Sequence, residues 1–396
     1  MSTKVELNCE MTCSKCEDKI RKSLDSMDDV TIKSIDIAGQ QNNHRPKNGN
    51  QRIDGGGSIS TFSEFSCSPY DIFNFSDDDR NYRLDCGKSV ASSFDLLLER
   101  KWNQAQSIDN LFLFQFDRLK IRTTILPGKY GFVVTLNTGR GTNRRSPETI
   151  NSISTPFDES KFNFNKIKPN ELLFKVSRNN LTKPIVSIII NNSPIEYCSS
   201  LMVIDPADCH NQLLTKSSLE MAINLIAISG DLNLRMGFNS LGAEASVNHC
   251  HWHLYYQQER LYLQSIKTVD GHFFTDWPLP GFLFEISDNQ SVDSVVESIM
   301  LLVNHVHTNH DNHSYNLFIA RGLIDHEIRV FIWIRKVSFG SKNLFHINPA
   351  LAELSGFFIC KSNEMFNQID EQFCVNLIKS IEIDNINEYI DLLKSN

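Results

Sequence analysis

Four things are missing from this chain of 396 residues, and each absence removes a class of function. There is no Lys/Arg block, and 39 basic against 47 acidic residues leave a formal net charge of -8. General nucleic-acid binding needs a counterion-releasing basic surface, so any anionic ligand must instead meet a local site. No apolar run is long enough for a helical membrane span, and Met1 leads straight into Lys4, Glu6 and Glu10 without the apolar stretch of a secretory signal. A cytoplasmic protein with no membrane partner is expected. The ten cysteines, scattered from Cys9 to Cys374, lack the spacing of a disulfide framework and suit buried thiols in a reducing compartment. No repeat of 20 to 50 residues is visible, which argues against a solenoid or a propeller.

What is present is a hydrophobic fraction of 41% arranged in three regions. Residues 1–37 read strand, helix, strand: Val5 and Leu7 alternate with polar residues, Ile20, Leu24 and Met27 recur at helical spacing, and Ile32, Ile35 and Ile37 follow. Residues 38–69 turn to Gln, Asn, Gly and Ser and offer too little apolar surface to offset chain entropy, so a disordered linker is expected there. From residue 70 to 396 the chain reads as one globular region. Strands are expected at 132–136, 185–190, 201–204 and 330–334, with helices at 94–102, 217–229 and 292–306. Grouped strands with intervening helices predict an α+β fold with a largely antiparallel sheet.

The chemistry concentrates in His249-Cys250-His251-Trp252-His253. On a strand, alternate residues share a face, so the three imidazoles are expected on one wall with Cys250, Trp252 and Leu254 on the other. The preceding stretch from Phe238 to Ser246 is rich in small residues, and a turn of that kind lets backbone N–H groups approach a phosphate. A neutral imidazole can attack an α-phosphorus in line and later surrender the nucleotidyl group to a second acceptor. The same His-x-His spacing also suits zinc, completed by Cys250 or a distant carboxylate, so a metal hydrolase stays open. A second cluster, His305, His307, His310 and His313, falls where a helix ends among Asn and Asp, and imidazolium at a helix C-terminus accounts for it without a metal.

These residues resemble the GDP-hexose phosphorylases, a family that includes plant GDP-L-galactose and animal GDP-D-glucose phosphorylases. The likeness runs through Ser93-Phe-Asp-Leu-Leu-Leu98, Pro127-Gly-Lys-Tyr-Gly-Phe132, Leu136-Asn-Thr-Gly-Arg140, Phe157-Asp158, Lys161-Phe-Asn-Phe164, Pro194-Ile-Glu196, Phe238-Asn-Ser-Leu-Gly242, the histidine run, Tyr315-Asn-Leu-Phe318, Arg329-Val-Phe331 and Asn348-Pro-Ala350. It implies a fold of the histidine-triad superfamily, in the galactose-1-phosphate uridylyltransferase branch: two related halves sharing an open, largely antiparallel sheet with flanking helices. It also implies phosphorolysis, in which GDP-hexose and inorganic phosphate give hexose 1-phosphate and GDP through a guanylyl-histidine, with no cofactor required. His251 matches the guanylylated position and His249 the flanking histidine that orients it. His253 stands where the animal type has histidine and the plant type glutamine, which favours GDP-D-glucose. Asn239 and Ser246 match positions that contact the α-phosphate, with Gly242 allowing close approach. Arg140, Lys161 and Asn163, in shared motifs, are expected to neutralise the β-phosphate or the incoming phosphate. A homodimer is compatible with this reading.

Two departures accompany the resemblance. After Tyr197 this chain has Cys198-Ser199-Ser200 where the family has Gly-His, so a nucleotide-sugar-binding protein with impaired turnover is the second reading. No Cys-x-x-Cys occurs in the globular region, so a structural zinc of the uridylyltransferase kind is not expected. Separately, Met11-Thr-Cys13-Ser-Lys-Cys16 and the helical pattern after it resemble the copper-binding element of heavy-metal-associated domains, as in the copper chaperone for superoxide dismutase. That likeness implies a Cu(I) site at Cys13 and Cys16. The segment has about half the length of such a module, too little to bury its apolar face, and is expected to be a truncated remnant.

Overall fold

The structure is a computed structural model that describes residues 72–84, 90–143, 147–179, 181, 183–340 and 346–395. The amino-terminal segment with Cys13 and Cys16, and the linker 38–69, lie outside the described residues. Thirteen strands are formed among the described residues: β1 (Ile72–Phe75), β2 (Arg122–Ile125), β3 (Val133–Leu136), β4 (Leu172–Arg178), β5 (Val186–Ile190), β6 (Tyr197–Ile204), β7 (Leu234–Asn239), β8 (His251–Tyr256), β9 (Phe273–Phe274), β10 (Gly281–Ile286), β11 (His313–Arg321), β12 (Ile328–Lys336) and β13 (Phe357–Cys360). The longer helices are α1 (Ser93–Gln106), α2 (Lys216–Ile228) and α3 (Asn289–Asn309), followed by α4 (Leu351–Ser355), α5 (Asn363–Gln368), α6 (Glu371–Lys379) and α7 (Asn387–Lys394).

Each long helix starts where a side chain can satisfy the unpaired N–H groups of its first turn. Ser92 accepts from Asp95 N–H at α1, Thr215 from Ser218 N–H at α2, and Asp288 from Ser291 N–H at α3. The helical and strand patterns read from sequence coincide with these elements to within one residue wherever they overrun an end, because both rest on apolar periodicity that the core then enforces.

Ten strands make one sheet in the order β1-β4-β5-β6-β8-β7-β11-β12-β10-β9, antiparallel throughout except for β1 beside β4. The topology repeats. Hairpin β5–β6, helix α2 and hairpin β7–β8 in the first half correspond to hairpin β9–β10, helix α3 and hairpin β11–β12 in the second, with the same strand order within each half. The halves meet where β7 pairs with β11, Asn239 opposite Asn316 and Phe238 opposite Leu317. This is the α+β architecture of two related halves that the resemblance implies. The smaller sheet has the order β13-β3-β2.

Strand alternation divides the core between the two faces of the large sheet. Trp252, Leu254, Leu317, Val330 and Ile332 join Phe94, Leu98, Ile226, Ile299 and Val303 of the helices in one cluster. Tyr255, Phe318, Phe331 and Trp333 face the other way, onto Phe132, Val134, Leu354, Phe357 and Cys374. Trp252 and Leu254 are fully buried, and removing each from water stabilises the fold by roughly 2–3 kcal/mol. That burial fixes the register of β8, since a slip by one residue would turn its histidines into the helix layer.

Candidate active site

Of the three histidines, only His251 and His253 belong to β8; His249 lies in the turn before it, so the expectation of three imidazoles on a single strand face is corrected. The cause is local. Cys250 N–H donates to His210 O at 2.8 Å, outside any ladder, and pairing with β6 begins only at His251 opposite Val203. His249 remains next to its neighbours through aromatic packing: Phe164 stacks on it at 5.5 Å between centroids and meets the His251 ring edge-on at 5.0 Å.

Two hydrogen bonds settle the protonation of this pair. His251 Nδ1 lies 2.7 Å from the His249 carbonyl oxygen. A carbonyl can only accept, so Nδ1 carries the proton and Nε2 presents a lone pair, to which no hydrogen bond is formed among the described residues. His249 Nδ1 accepts from Phe164 N–H at 3.0 Å, so its proton resides on Nε2. Burial pushes both imidazoles down to about 4; the His249 carbonyl opposes this at His251, and the His251 charge adds to it at His249. Near neutrality both rings are uncharged, the state a nucleophilic imidazole requires.

The backbone of His251 is clamped by Gln212, a residue with no signal in the sequence. Gln212 is fully buried. Its Oε1 accepts from His251 N–H at 2.8 Å, while its Nε2 donates to His251 O at 3.1 Å and to Asn239 O at 2.8 Å. One amide thus ties the start of β8 to the end of β7. Gln212 N–H in turn donates to Asn248 Oδ1, and Asn248 Nδ2 donates to the carbonyls of Thr155 and Pro156, anchoring the loop that carries Phe157 and Phe164 over the histidines.

An open pocket is lined by Asn239, Ser246, His253 and Arg140 together with Glu244, Asn348, Glu353 and Lys361; His249 and His251 are not among its lining residues, and the buried His251 ring adjoins it through His253, 5.4 Å away between centroids. The orientation of Asn239 follows from its partners. Its Oδ1 accepts from Asn316 Nδ2 at 2.7 Å and from Leu351 N–H at 2.9 Å, which leaves the Nδ2 donor for the pocket. Asn316 is held from behind by Arg335, whose Nη1 donates to Asn316 Oδ1 at 3.3 Å. Arg335 is fully buried, donates otherwise to Lys336 O, Pro349 O and Ser338 Oγ, and has no carboxylate at salt-bridge distance among the described residues. Burial pushes its guanidinium down to about 10, still charged at neutral pH. A cation therefore sits behind Asn316 and, through it, behind Asn239 on the pocket wall, a field that favours an anion there while the carboxyl groups of Glu244 and Glu353 on the same wall oppose it.

Other expected site residues take different places. Gly242 adopts a φ of +75° in the turn after β7, where a side chain would be strained and would crowd Val337 and Ile153 at 3.2 and 3.3 Å. It shapes the turn and does not line the pocket. Lys161 pairs with Glu148 at 3.6 Å and also lies outside the pocket lining. Asn163 is buried and caps the short turn Phe164–Lys166 by accepting from Asn165 N–H, which places the Phe164 amide against His249. Arg140 donates to Ser193 O at the pocket wall.

The departure at Cys198 has a visible geometry. Cys198 has φ +55° at a bulge in β6, a conformation that suits glycine better than cysteine. Its side chain joins the helix-side core with Trp102, and Ser199 O accepts from Trp102 Nε1. Ser200 pairs with Leu254, whereas Val203 pairs with His251. The altered segment thus lies toward the opposite end of the strand pair from the nucleophile candidate. For the metal reading, the groups of three convergent ligands among the described residues are His305, His310, Glu388 and Glu285, Asp325, Glu327, neither drawn from the histidine run.

Comparison with known proteins follows the same lines. Family models described as GDPGP1-like, N-terminal domain and GDPGP1-like, C-terminal domain match residues 93–255 and 256–388, dividing the chain between Tyr255 and Tyr256, the last two residues of β8. GDP-D-glucose phosphorylase 1 of Danio rerio is 36% identical over 327 residues, spanning 78% of this chain and 93% of the relative. The Homo sapiens protein of that name is 35% identical over 74% of this chain and 80% of its own. GDP-L-galactose phosphorylase 2 of Arabidopsis thaliana is 29% identical over 68% of this chain and 69% of its own. Among solved structures, yeast Ap4A phosphorylase Apa2 superposes with a TM-score of 0.52 at 12% identity over 74% of this chain and 95% of the other, a likeness of fold.

Proposed function

This chain belongs to the GDPGP1-like family, and from that premise we propose how its residues carry out the phosphorolysis of GDP-D-glucose to glucose 1-phosphate and GDP. The reaction is a nucleotidyl transfer in two displacements. His251 Nε2 attacks the α-phosphorus, the bond from that phosphorus to the bridging oxygen breaks, and glucose 1-phosphate departs with the electron pair. Inorganic phosphate then attacks the guanylyl-histidine, returning Nε2 to the free ring and releasing GDP.

The observation that carries this reading is the 2.7 Å bond from His251 Nδ1–H to the His249 carbonyl. It fixes the tautomer with Nε2 as the nucleophile. As the ring gains positive charge on guanylylation, the carbonyl dipole already points at Nδ1–H, so the stabilisation needs no rearrangement. Asn239 Nδ2, Ser246, Arg140 and Lys361 are placed to receive phosphate oxygens, with the Arg335 charge behind Asn239. His253, on the pocket wall with its ring 5.4 Å from that of His251, is assigned to the departing sugar phosphate. Glucose 1-phosphate is a weak base as a leaving group, so strong general-acid assistance is unnecessary. The chemistry calls on no metal or organic cofactor, and a cytoplasmic setting supplies both phosphate and nucleotide sugar.

The test is phosphate dependence with a sugar comparison. Protein incubated with GDP-D-glucose is expected to form glucose 1-phosphate and GDP only when inorganic phosphate is present, with kcat/KM for GDP-D-glucose exceeding that for GDP-mannose and GDP-L-galactose. Release of GMP at the same rate with and without phosphate would point to a hydrolase and overturn the assignment.

A further inference from the structure

The second histidine cluster is more than the end of a helix. His305 in the last turns of α3, His310 just beyond it and Glu388 in the first turn of α7 converge from separate stretches of chain. His305 Nε2 lies 2.5 Å and His310 Nε2 2.9 Å from the same carboxylate oxygen, Glu388 Oε1, and the three ligand atoms lie within 4.8 Å of one another. The side chains are partly buried, 21%, 18% and 31% exposed, so solvent reaches the group without flooding it. None of the three lines the pocket beside His251.

We propose that His305, His310 and Glu388 form a binding site for a divalent transition ion of the zinc class, which fastens α7 to the end of α3. Two imidazole nitrogens and one carboxylate oxygen are the donor set that zinc accepts with a fourth position left to water. The surrounding groups fit ligation. His310 stacks on His313 at 4.2 Å between centroids, and His313 Nδ1 is hydrogen-bonded to Tyr389 Oη at 2.8 Å, so the His310 ring is held in plane. His305 Nδ1 faces the Asn309 side-chain amide at 3.0 Å. That amide also donates to His305 O at 3.2 Å, so ligation through Nε2 requires it to swing aside and leave Nδ1–H as the outer donor to solvent. In both His305 and His310 the proton shared between Nε2 and Glu388 moves to Nδ1 in this exchange, so each ring stays neutral and offers its Nε2 lone pair. Two imidazole nitrogens already converge on Glu388 Oε1, the arrangement that an ion between the three groups would occupy. Because the ligands are 83 residues apart, the ion closes a long loop and adds stability to the carboxy-terminal helix.

The experiment uses the full chain carrying Cys13→Ser and Cys16→Ser, which removes the competing thiolates, titrated with cobalt(II) and then zinc. One equivalent of cobalt is expected to give the visible d–d absorption of a tetrahedral site, displaced by zinc, with a rise in Tm of roughly 3 °C at saturating zinc. His310→Asn together with Glu388→Gln is expected to lose the band and at least tenfold in affinity. In the His251→Ala background the band is expected to persist, which separates this site from the histidine run. Should the double variant fail to fold by circular dichroism, Glu388→Gln alone decides the matter. No band in the parent chain, or a band of undiminished affinity in the variants, overturns the proposal.

Discussion

Gln212→Glu tests whether the amide clamp positions the nucleophile or merely fills space. The substitution is nearly isosteric, so packing is preserved while the hydrogen-bond pattern changes. In the parent chain Nε2 supplies donors to His251 O and Asn239 O, and Oε1 accepts from His251 N–H. Glutamate keeps the acceptor. At full burial it stays protonated, offering a single O–H for two carbonyls, so one buried carbonyl loses its partner. That loss costs about 1–3 kcal/mol, which in a chain of this size lowers Tm by roughly 2–6 °C. The kinetic effect is larger than the stability effect suggests, because one of the bonds holding the ends of β7 and β8 in place is lost where His251 and Asn239 must converge on one phosphate. Misplacement on the order of 1 Å costs about 10²-fold in rate, so kcat should fall by roughly 10- to 100-fold while KM for GDP-D-glucose moves less than threefold. Steady-state kinetics and thermal denaturation on the same preparation give both numbers. A lowered Tm with unchanged kcat would assign Gln212 to stability alone and refute the positioning argument.

Three further outcomes follow from the same geometry. Both His249 and His251 have folded-state values near 4 against about 6.5 unfolded, so the unfolded chain takes up protons first as pH falls. Their contribution is fully present above about pH 6.5 and is lost between 6.5 and 4, roughly 3 kcal/mol for each ring over that span and about 2 kcal/mol for each by pH 5; urea midpoints at pH 7.5 and pH 5 should differ accordingly, and equal midpoints would contradict the assigned burial. In the same window kcat/KM for GDP-D-glucose should show no acidic limb near 6.5, since His251 stays neutral; a limb there that disappears in His253→Gln would assign it to the pocket-lining ring. Arg140→Ala should raise KM for GDP-D-glucose or phosphate at least fivefold, whereas Lys161→Ala, paired with Glu148 and away from the pocket, should change KM less than twofold; the reverse ranking would relocate the phosphate site.

The histidine run was readable because its chemistry and its strand alternation coincide from His251 to Leu254. Trp252 and Leu254 had to face the core, so His251 and His253 had to face away from it. The place of His249 was not readable, since nothing in its own neighbourhood announces that Cys250 bonds to His210 or that Phe164, 85 residues earlier, donates to its ring. Gln212 was invisible for a similar reason: a lone glutamine before Leu213 and Leu214 carries no motif, and its three bonds exist only once β7 and β8 are side by side. Arg335 did leave a trace, as a cation continuing the apolar strand Val330–Ile334, but its partner Asn316 is fixed by cross-strand pairing. Asn163 and Lys161 sat in a shared motif, and in the structure Asn163 caps the turn that seats Phe164 while Lys161 pairs with Glu148, because a motif shows that residues matter together without showing which of them face a pocket. The α+β architecture was legible from periodicity, while the pairing of β7 with β11 at the centre of the sheet came from long-range register.

The account rests on His251 Nε2 bonding to phosphorus, and one trapping measurement addresses it. Protein mixed with GDP-D-glucose labelled on the α-phosphorus, in the absence of inorganic phosphate and then quenched in alkali, should carry acid-labile, alkali-stable label on the peptide containing His251, chased quantitatively into GDP when phosphate is added before the quench. His251→Ala, folded as judged by Tm, should take up no label. Label on another residue, or full turnover by that variant, contradicts the mechanism.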